Sequence, residues 1–259
     1  YFTDDKAPSL NNDTVVVTGM VMMPPYKAAN PDSGVLMYVG SGSAGFYIQD
    51  TAQTDWSGLL VLLQNASSYP EFATLDSGTI VKVTGKVFEY STSTQKTTEL
   101  ILTDYTGSEV MDFKPRPQPV ELTLDSLKEI GTDANKAIAE KWEGVYVILR
   151  DVTTFNRNSS GGFYILDGNN LTLNVGTKSN YFYQKVAPAD GTVLEYIRGY
   201  IETRSTGSGG ITINPSFTND VKIAQFPPTI SEIARNPVLV SPGVDVVVSA
   251  KIKDRDGTV

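Results

Sequence analysis

Short runs rich in β-branched and aromatic residues recur along the chain, separated by clusters of Gly, Pro, Asn, Asp and Ser. This pattern predicts strands joined by turns. In the first part the predicted strands are Asp13 to Val21, Phe46 to Gln49, Leu59 to Leu63, Thr79 to Tyr90 and Glu99 to Thr103. A short strand at Val35 to Val39 and one helical turn within Ser67 to Leu75 fit the longer connections. Further on, Thr123 to Ile130 combines an N-cap candidate with the apolar spacing of a short helix. Strands follow near Gly144 to Val152, Gly162 to Leu166, Leu171 to Val175, Val193 to Arg204 and Gly210 to Asn214. Val244 to Ile252 reads as a last strand, with Asp256-Gly257 as the start of a hairpin turn.

Both halves carry the same landmarks in the same order. The hexapeptide Gly45-Phe46-Tyr47-Ile48-Gln49-Asp50 returns as Gly162-Phe163-Tyr164-Ile165-Leu166-Asp167. Each copy follows a valine-rich strand and precedes, by about 40 residues, a strand with a central glycine, Gly85 or Gly199. Three anchors in one order mark a duplicated unit. Proline-rich joints at Lys114 to Pro119 and Phe226 to Pro228 then divide the chain into 1–113, 114–225 and 226–259.

Five strands per unit, with a long middle connection between the third and fourth, is the strand count of an OB-fold, a small Greek-key barrel. A barrel that small coils its long strands, so each central glycine is expected to permit a bend and a close backbone approach. The expected fold class is all-β: two tandem five-stranded OB-fold barrels plus a segment, Pro227 to Val259, that resembles part of an Ig-like β-sandwich.

Composition shortens the list of chemistries. The 259 residues contain neither Cys nor His, which removes thiolate nucleophiles, disulfides, imidazole bases and the common zinc and haem ligands. No stretch approaches the roughly 18 apolar residues of a membrane span. The net charge of −8 is concentrated in residues 1–113, which hold 5 Lys/Arg against 13 Asp/Glu, while the other two segments are balanced. A nucleic-acid binder needs a basic stripe to replace counterions along the phosphates, so the charge argues against nucleic acid as a partner.

Asp50 and Asp167 take equivalent positions at strand ends, where an Asp side chain commonly caps a turn; equivalent residues of separate barrels need not converge on one site. Asp254-Arg255-Asp256-Gly257 has the acid spacing of a calcium loop but lacks its later ligands. No cofactor and no metal are therefore expected. Binding candidates are aromatic, because OB-folds stack ligands over their second and third strands. If Phe46 and Ile48 point inward, alternation turns Tyr47 and Gln49 outward, and Tyr164 does the same in the second unit beside Arg157.

The Gly-Phe-Tyr-Ile-Gln-Asp and Glu-Gly-Val-Tyr-Val signatures, at Gly45 to Asp50 and Glu143 to Val147, resemble the accessory OB-fold domains of secreted bacterial proteins. Some of these are joined to extracellular nucleases or phosphoesterases and others to Bacteroidetes-type surface proteins. The segment from Pro227 onward is similar to the opening strands of bacterial Ig-like or fibronectin-type modules, and its shortness leads to the expectation that the natural polypeptide continues. The resemblance implies an extracellular, non-catalytic segment whose partners are other domains of the same chain or cell-surface proteins. Its alternative is an accessory region that presents single-stranded nucleic acid or a glycan to a catalytic domain. It also implies O-glycosylation candidates at Thr14, Thr51 and Ser126, each within a three-residue Asp-Ser/Thr pattern.

Overall fold

The computed structural model describes residues 10–25, 42–91, 96–127, 139–159, 162–176, 188–203, 210–217, 219–239 and 241–254. In the first barrel β1 (Thr14–Met23), β2 (Ala44–Gln49), β3 (Gly58–Leu63), β4 (Thr79–Ser91) and β5 (Lys96–Phe113) close in the order β1-β2-β3-β5-β4. All neighbours are antiparallel except β3 and β5, which run parallel. In the second, β7 (Tyr146–Phe155), β8 (Phe163–Leu166), β9 (Thr172–Val175), β11 (Ile211–Asn214) and β10 (Val193–Thr203) repeat that order, and β10 pairs back onto β7 to close the ring. The single parallel pair recurs as β9 with β11. Two closed rings of one Greek-key order, each with its parallel pair in the same place, are OB-fold barrels.

Alternation fills each barrel. Phe46 and Ile48 of β2 point inward with Val21, Val61, Val81, Val83 and Leu100, while Phe72, from the β3–β4 connection, stacks on Phe46 at 6.4 Å and closes one end. Phe163, Ile165, Val147, Leu149, Ile197 and Ile213 do the same in the second barrel. Gly85 faces Val15 of β1, and Gly199 faces Val147 of β7. A Cβ on Gly85 would lie 2.6 Å from the Ile101 carbonyl oxygen, and one on Gly199 2.6 Å from the Asn214 backbone. Both glycines thus let the neighbouring strand come close, as the repeat anticipates.

The strands extend beyond the predicted ones where side-chain bonding rescues an irregular ladder. β5 runs on past Thr103 because Asp104 Oδ1 accepts from the Thr106 amide, Thr84 Oγ1 donates to the Gly107 carbonyl and Ser108 Oγ accepts from the Thr84 amide. These bonds carry β4 and β5 through register shifts as far as the Thr79–Phe113 pair. The predicted helix at Thr123 to Ile130 is a single 3-10 turn, Leu124–Leu127, in its described part. Short strands β6 (Val120–Glu121) and β12 (Val221–Ile223), not read in the sequence, add to the sheet of the second barrel. Val35 to Val39 lies outside the described residues.

Tyr1–Lys222 forms one compact unit and Ile223–Val259 a second. The second holds an antiparallel pair, β13 (Thr229–Asn236) and β14 (Val247–Lys253), of which only β14 was expected. The residues of both strands are exposed throughout, apolar ones such as Ile233, Val247 and Val248 included.

Candidate functional site

On the first barrel, the outer surface over β2 and β3 is where the sequence places a ligand face. Tyr47 and Gln49 do turn away from the barrel interior, opposite Phe46 and Ile48. They do not reach solvent. Tyr47 is 2% exposed and Gln49 4%. The Tyr47 ring stacks on Tyr200 of the second barrel with centroids 4.2 Å apart, and Gln49 Oε1 accepts from the Tyr146 amide at 3.2 Å. Exposure of these two residues is therefore corrected: alternation gives the side of a strand a residue faces, and here the second barrel covers that side.

The covering surface is a third apolar cluster, in which Met20, Met22, Met23, Tyr47 and Leu60 pack with Tyr146 and Tyr200. Burial and the neighbouring acids Glu202, Glu143 and Glu99, together with Tyr200, hold the Tyr47 phenol well above its ordinary range, so it stays neutral. Arg116, from the proline-rich joint, locks the seam. Its guanidinium lies 4.5 Å from the ring centres of both Tyr146 and Phe217, and Nη1 donates to the Met22 carbonyl at 2.8 Å. Tyr146 in turn donates its hydroxyl to Asp220 Oδ1 at 2.6 Å, and Asp220 Oδ2 accepts from the Ser216 and Phe217 amides. Burial nevertheless raises the Asp220 carboxyl, outweighing these bonds and the nearby Arg198.

At the opposite side of the seam, backbones meet directly. The Trp56 amide donates to the Lys141 carbonyl at 2.7 Å, and a Cβ on Gly58 would stand 2.2 Å from Gly144 C. Glu143 Oε1 accepts from the Thr98 amide at 2.8 Å. Glu143 as a residue is half-buried, but its Oε2 is fully buried. Burial first, then the Glu140 charge, raises its carboxyl well above the usual range.

The second barrel keeps the equivalent face open. Tyr164 is half-buried, rests against Phe155 with centroids 5.5 Å apart, and pairs across to Asn174 on β9. Arg157 is exposed in the β7–β8 loop, with its amide donating to Asp190 Oδ1. Tyr164 and Arg157 thus belong to the second barrel, and Tyr47 and Gln49 to the first. Sequence reasoning missed Phe155, whose β7 position opposite Tyr164 follows only from the register.

Asp50 and Asp167 cap turns, accepting from the Ala52 amide in one case and the Asn169 and Leu171 amides in the other. Thr14 and Thr51 are exposed, and Ser126 is half-buried in its 3-10 turn. Among the described residues, no group of three or more acids is placed to hold a metal ion, and no helix is long and apolar enough to cross a membrane.

No family model matches the chain, and no curated protein matches it. Among solved structures, it is similar to a replication protein A heterotrimer bound to single-stranded DNA, at 10% identity over 85% of this chain and 53% of that one, with a TM-score of 0.33. It is similar to the single-stranded DNA binding protein of Thermus aquaticus at 10% identity over 83% of this chain and 94% of that one, with a TM-score of 0.25. An aspartyl-tRNA synthetase from Entamoeba histolytica gives 14% identity over 46% of this chain, with a TM-score of 0.29; the match spans only 23% of that enzyme. At these TM-scores the likenesses carry no functional argument.

Proposed function

We propose that this chain is a non-catalytic segment of a larger secreted or cell-surface protein, in which two OB-fold barrels act as one rigid spacer and docking block. The observation that carries the reading is the burial of Tyr47 and Gln49: the first barrel's customary ligand face is occupied by the second barrel. Surface spent in that way fixes an angle between two barrels instead of recruiting a ligand. The exposed β13–β14 pair is read as part of an Ig-like or fibronectin-type module whose sandwich covers its apolar side chains, since an isolated hairpin is marginal in water.

Nucleic acid is disfavoured by pairing as well as by charge. Arg150, Arg198 and Lys222 of the second barrel already face Glu121, Asp220 and Glu195 at 3.0, 3.4 and 2.8 Å. Stacking on Tyr164 contributes about 1 to 3 kcal/mol per base, which alone corresponds to millimolar binding or weaker. Fluorescence anisotropy with a labelled single-stranded oligonucleotide at about 150 mM salt tests this. No saturation is expected in the micromolar range, and a low-micromolar dissociation constant weakened by Tyr164→Ala or Arg157→Ala would replace the spacer reading with a nucleic-acid one.

The half-exposed Phe155–Tyr164 pair favours a second reading, in which the open face of the second barrel docks a neutral glycan. An aromatic platform flanked by Asn174 can stack on a sugar ring and bond its hydroxyls without a phosphate-binding cation. Binding of soluble oligosaccharides that disappears in Tyr164→Ala but survives in Asp50→Asn is the expected sign of it.

A further inference from the structure

The seam between the barrels is built differently at its two sides. On one, Arg116 clamps the Tyr146 and Phe217 rings to the Met22 carbonyl. On the other, the turn at 140–144 is wedged between the barrels. Its Lys141 carbonyl accepts from the Trp56 amide of the first barrel at 2.7 Å, and its Gly144 amide donates to the Ile201 carbonyl of β10 at 2.9 Å. A Cβ on Gly58 would meet Gly144 C at 2.2 Å, so the two backbones leave no room for water between them.

This turn carries Glu143 into acidic surroundings. Oε1 accepts from the Thr98 amide of β5, Oε2 is fully buried, and the Thr203 hydroxyl of β10 lies beside the carboxyl. Glu140 of the same turn and Glu89 of β4 act on it directly, while Glu99 of β5 and Glu202 of β10 surround with it the Tyr47 phenol of β2, which is stacked on Tyr200. Glu89, Glu99, Glu140 and Glu202 each hold interactions of their own. Lys141, in the turn itself, directs its ammonium to Asp55 at 3.4 Å and to the Trp142 ring centre at 4.8 Å. The Thr98 and Thr203 bonds favour a charged Glu143, and burial outweighs them. A neutral carboxyl therefore suits the closed seam. A carboxylate meets like charges there and gains water only if the turn moves.

We propose that the turn at 140–144 is a proton-operated latch: it holds the barrels together while Glu143 keeps its proton, and releases the first barrel when that proton passes to solvent. The Arg116 side keeps the barrels tethered and serves as the hinge. Opening uncovers the Tyr47 and Gln49 side of the first barrel, so the two-barrel block is rigid only with the latch shut. The inference rests on the seam and stands whether or not the chain is a spacer. Amide hydrogen exchange of the full chain, corrected for intrinsic rates, is followed at pH values stepping upward from the ordinary carboxyl value of 4.5. The Thr98 and Trp56 amides, which bond to the turn, are expected to lose protection by up to about tenfold per pH unit, because the open form releases a proton that the closed form keeps. The Tyr146 amide, whose acceptor is Gln49 Oε1 across the seam, follows them. All three exchange at least about tenfold faster than the amides of the β8–β9 pair, which await unfolding of the whole chain. Glu143→Gln keeps an oxygen for the Thr98 amide but cannot ionise, and its Thr98 protection stays constant within about threefold over the series. The proposal is overturned by wild-type Thr98 protection that does not change with pH, by exchange of Thr98 and Trp56 no faster than that of the β8–β9 pair, by a Tyr146 amide that stays protected while the other two open, or by an unaltered pH dependence in Glu143→Gln.

Discussion

Tyr47 and Tyr164 occupy matching positions in the repeat, so alanine at each makes a controlled comparison. Truncating Tyr47 removes a ring that is 2% exposed and stacked on Tyr200 at 4.2 Å. A buried aromatic covers about 150–250 Å², which at about 25 cal/mol per Å² gives roughly 4–6 kcal/mol as an upper bound. Large-to-small core changes of this kind cost about 3–5 kcal/mol, and a loss of about 3–4 kcal/mol is expected here. Tyr164 is half-buried and rests on Phe155 alone among the aromatic contacts described for it, so its loss costs about 1 kcal/mol. Urea unfolding of the full chain followed by fluorescence reads the difference. For an m-value of about 3 kcal/mol/M, Tyr47→Ala lowers the midpoint by about 1 M and Tyr164→Ala by about 0.3 M. A cycle with Tyr200→Ala adds a coupling of about 0.5–1.5 kcal/mol. Because the seam is a shared core, the barrels are expected to unfold in one transition. A Tyr47→Ala cost below about 1 kcal/mol, or separate transitions for the two barrels, would refute the shared interface.

Gly58→Ala forces a Cβ to within 2.2 Å of Gly144 C and is expected to cost at least about 2 kcal/mol in the same assay, whereas Gly168→Ala, with nothing within 4 Å of its Cβ, changes stability by less than about 0.5 kcal/mol. Arg116→Ala removes two ring contacts and the bond to the Met22 carbonyl, for a loss of about 1–3 kcal/mol in urea unfolding; Arg116→Lys does not restore it, because an ammonium lacks the broad planar fork that meets both rings and the carbonyl at once. Glu143 has a raised carboxyl in the folded state, so the native protein holds that proton above the ordinary value of 4.5, and the associated stability is lost as pH rises from there through the raised folded value. Glu143→Gln is accordingly expected to flatten the fall in urea midpoint as pH rises above the ordinary carboxyl value of 4.5; a wild-type and variant profile of equal slope would show that Glu143 ionises freely.

The duplication was legible because it is written in local chemistry. β-branched runs bounded by turn residues specify strands, period-two alternation sends Phe46, Ile48, Phe163 and Ile165 inward, and Gly85 and Gly199 answer to a close approach that any five-stranded barrel imposes. The length of β5 was less legible, since its continuation rests on bonds from Asp104, Thr84 and Ser108 that form only once β4 lies beside it. The candidate face divides in the same way. Alternation places Tyr47 and Tyr164 on the outside of their own strands, and it holds for both. Whether an outer face meets water depends on which barrel packs against it, through contacts such as Tyr47 with Tyr200, Gly58 with Gly144 and Arg116 with Met22, between residues 86 to 153 positions apart in sequence. A strand's sequence encodes the direction of its side chains. What covers them is decided by the rest of the chain, and only the tertiary structure turns one of two equivalent tyrosines into core and leaves the other half open to solvent.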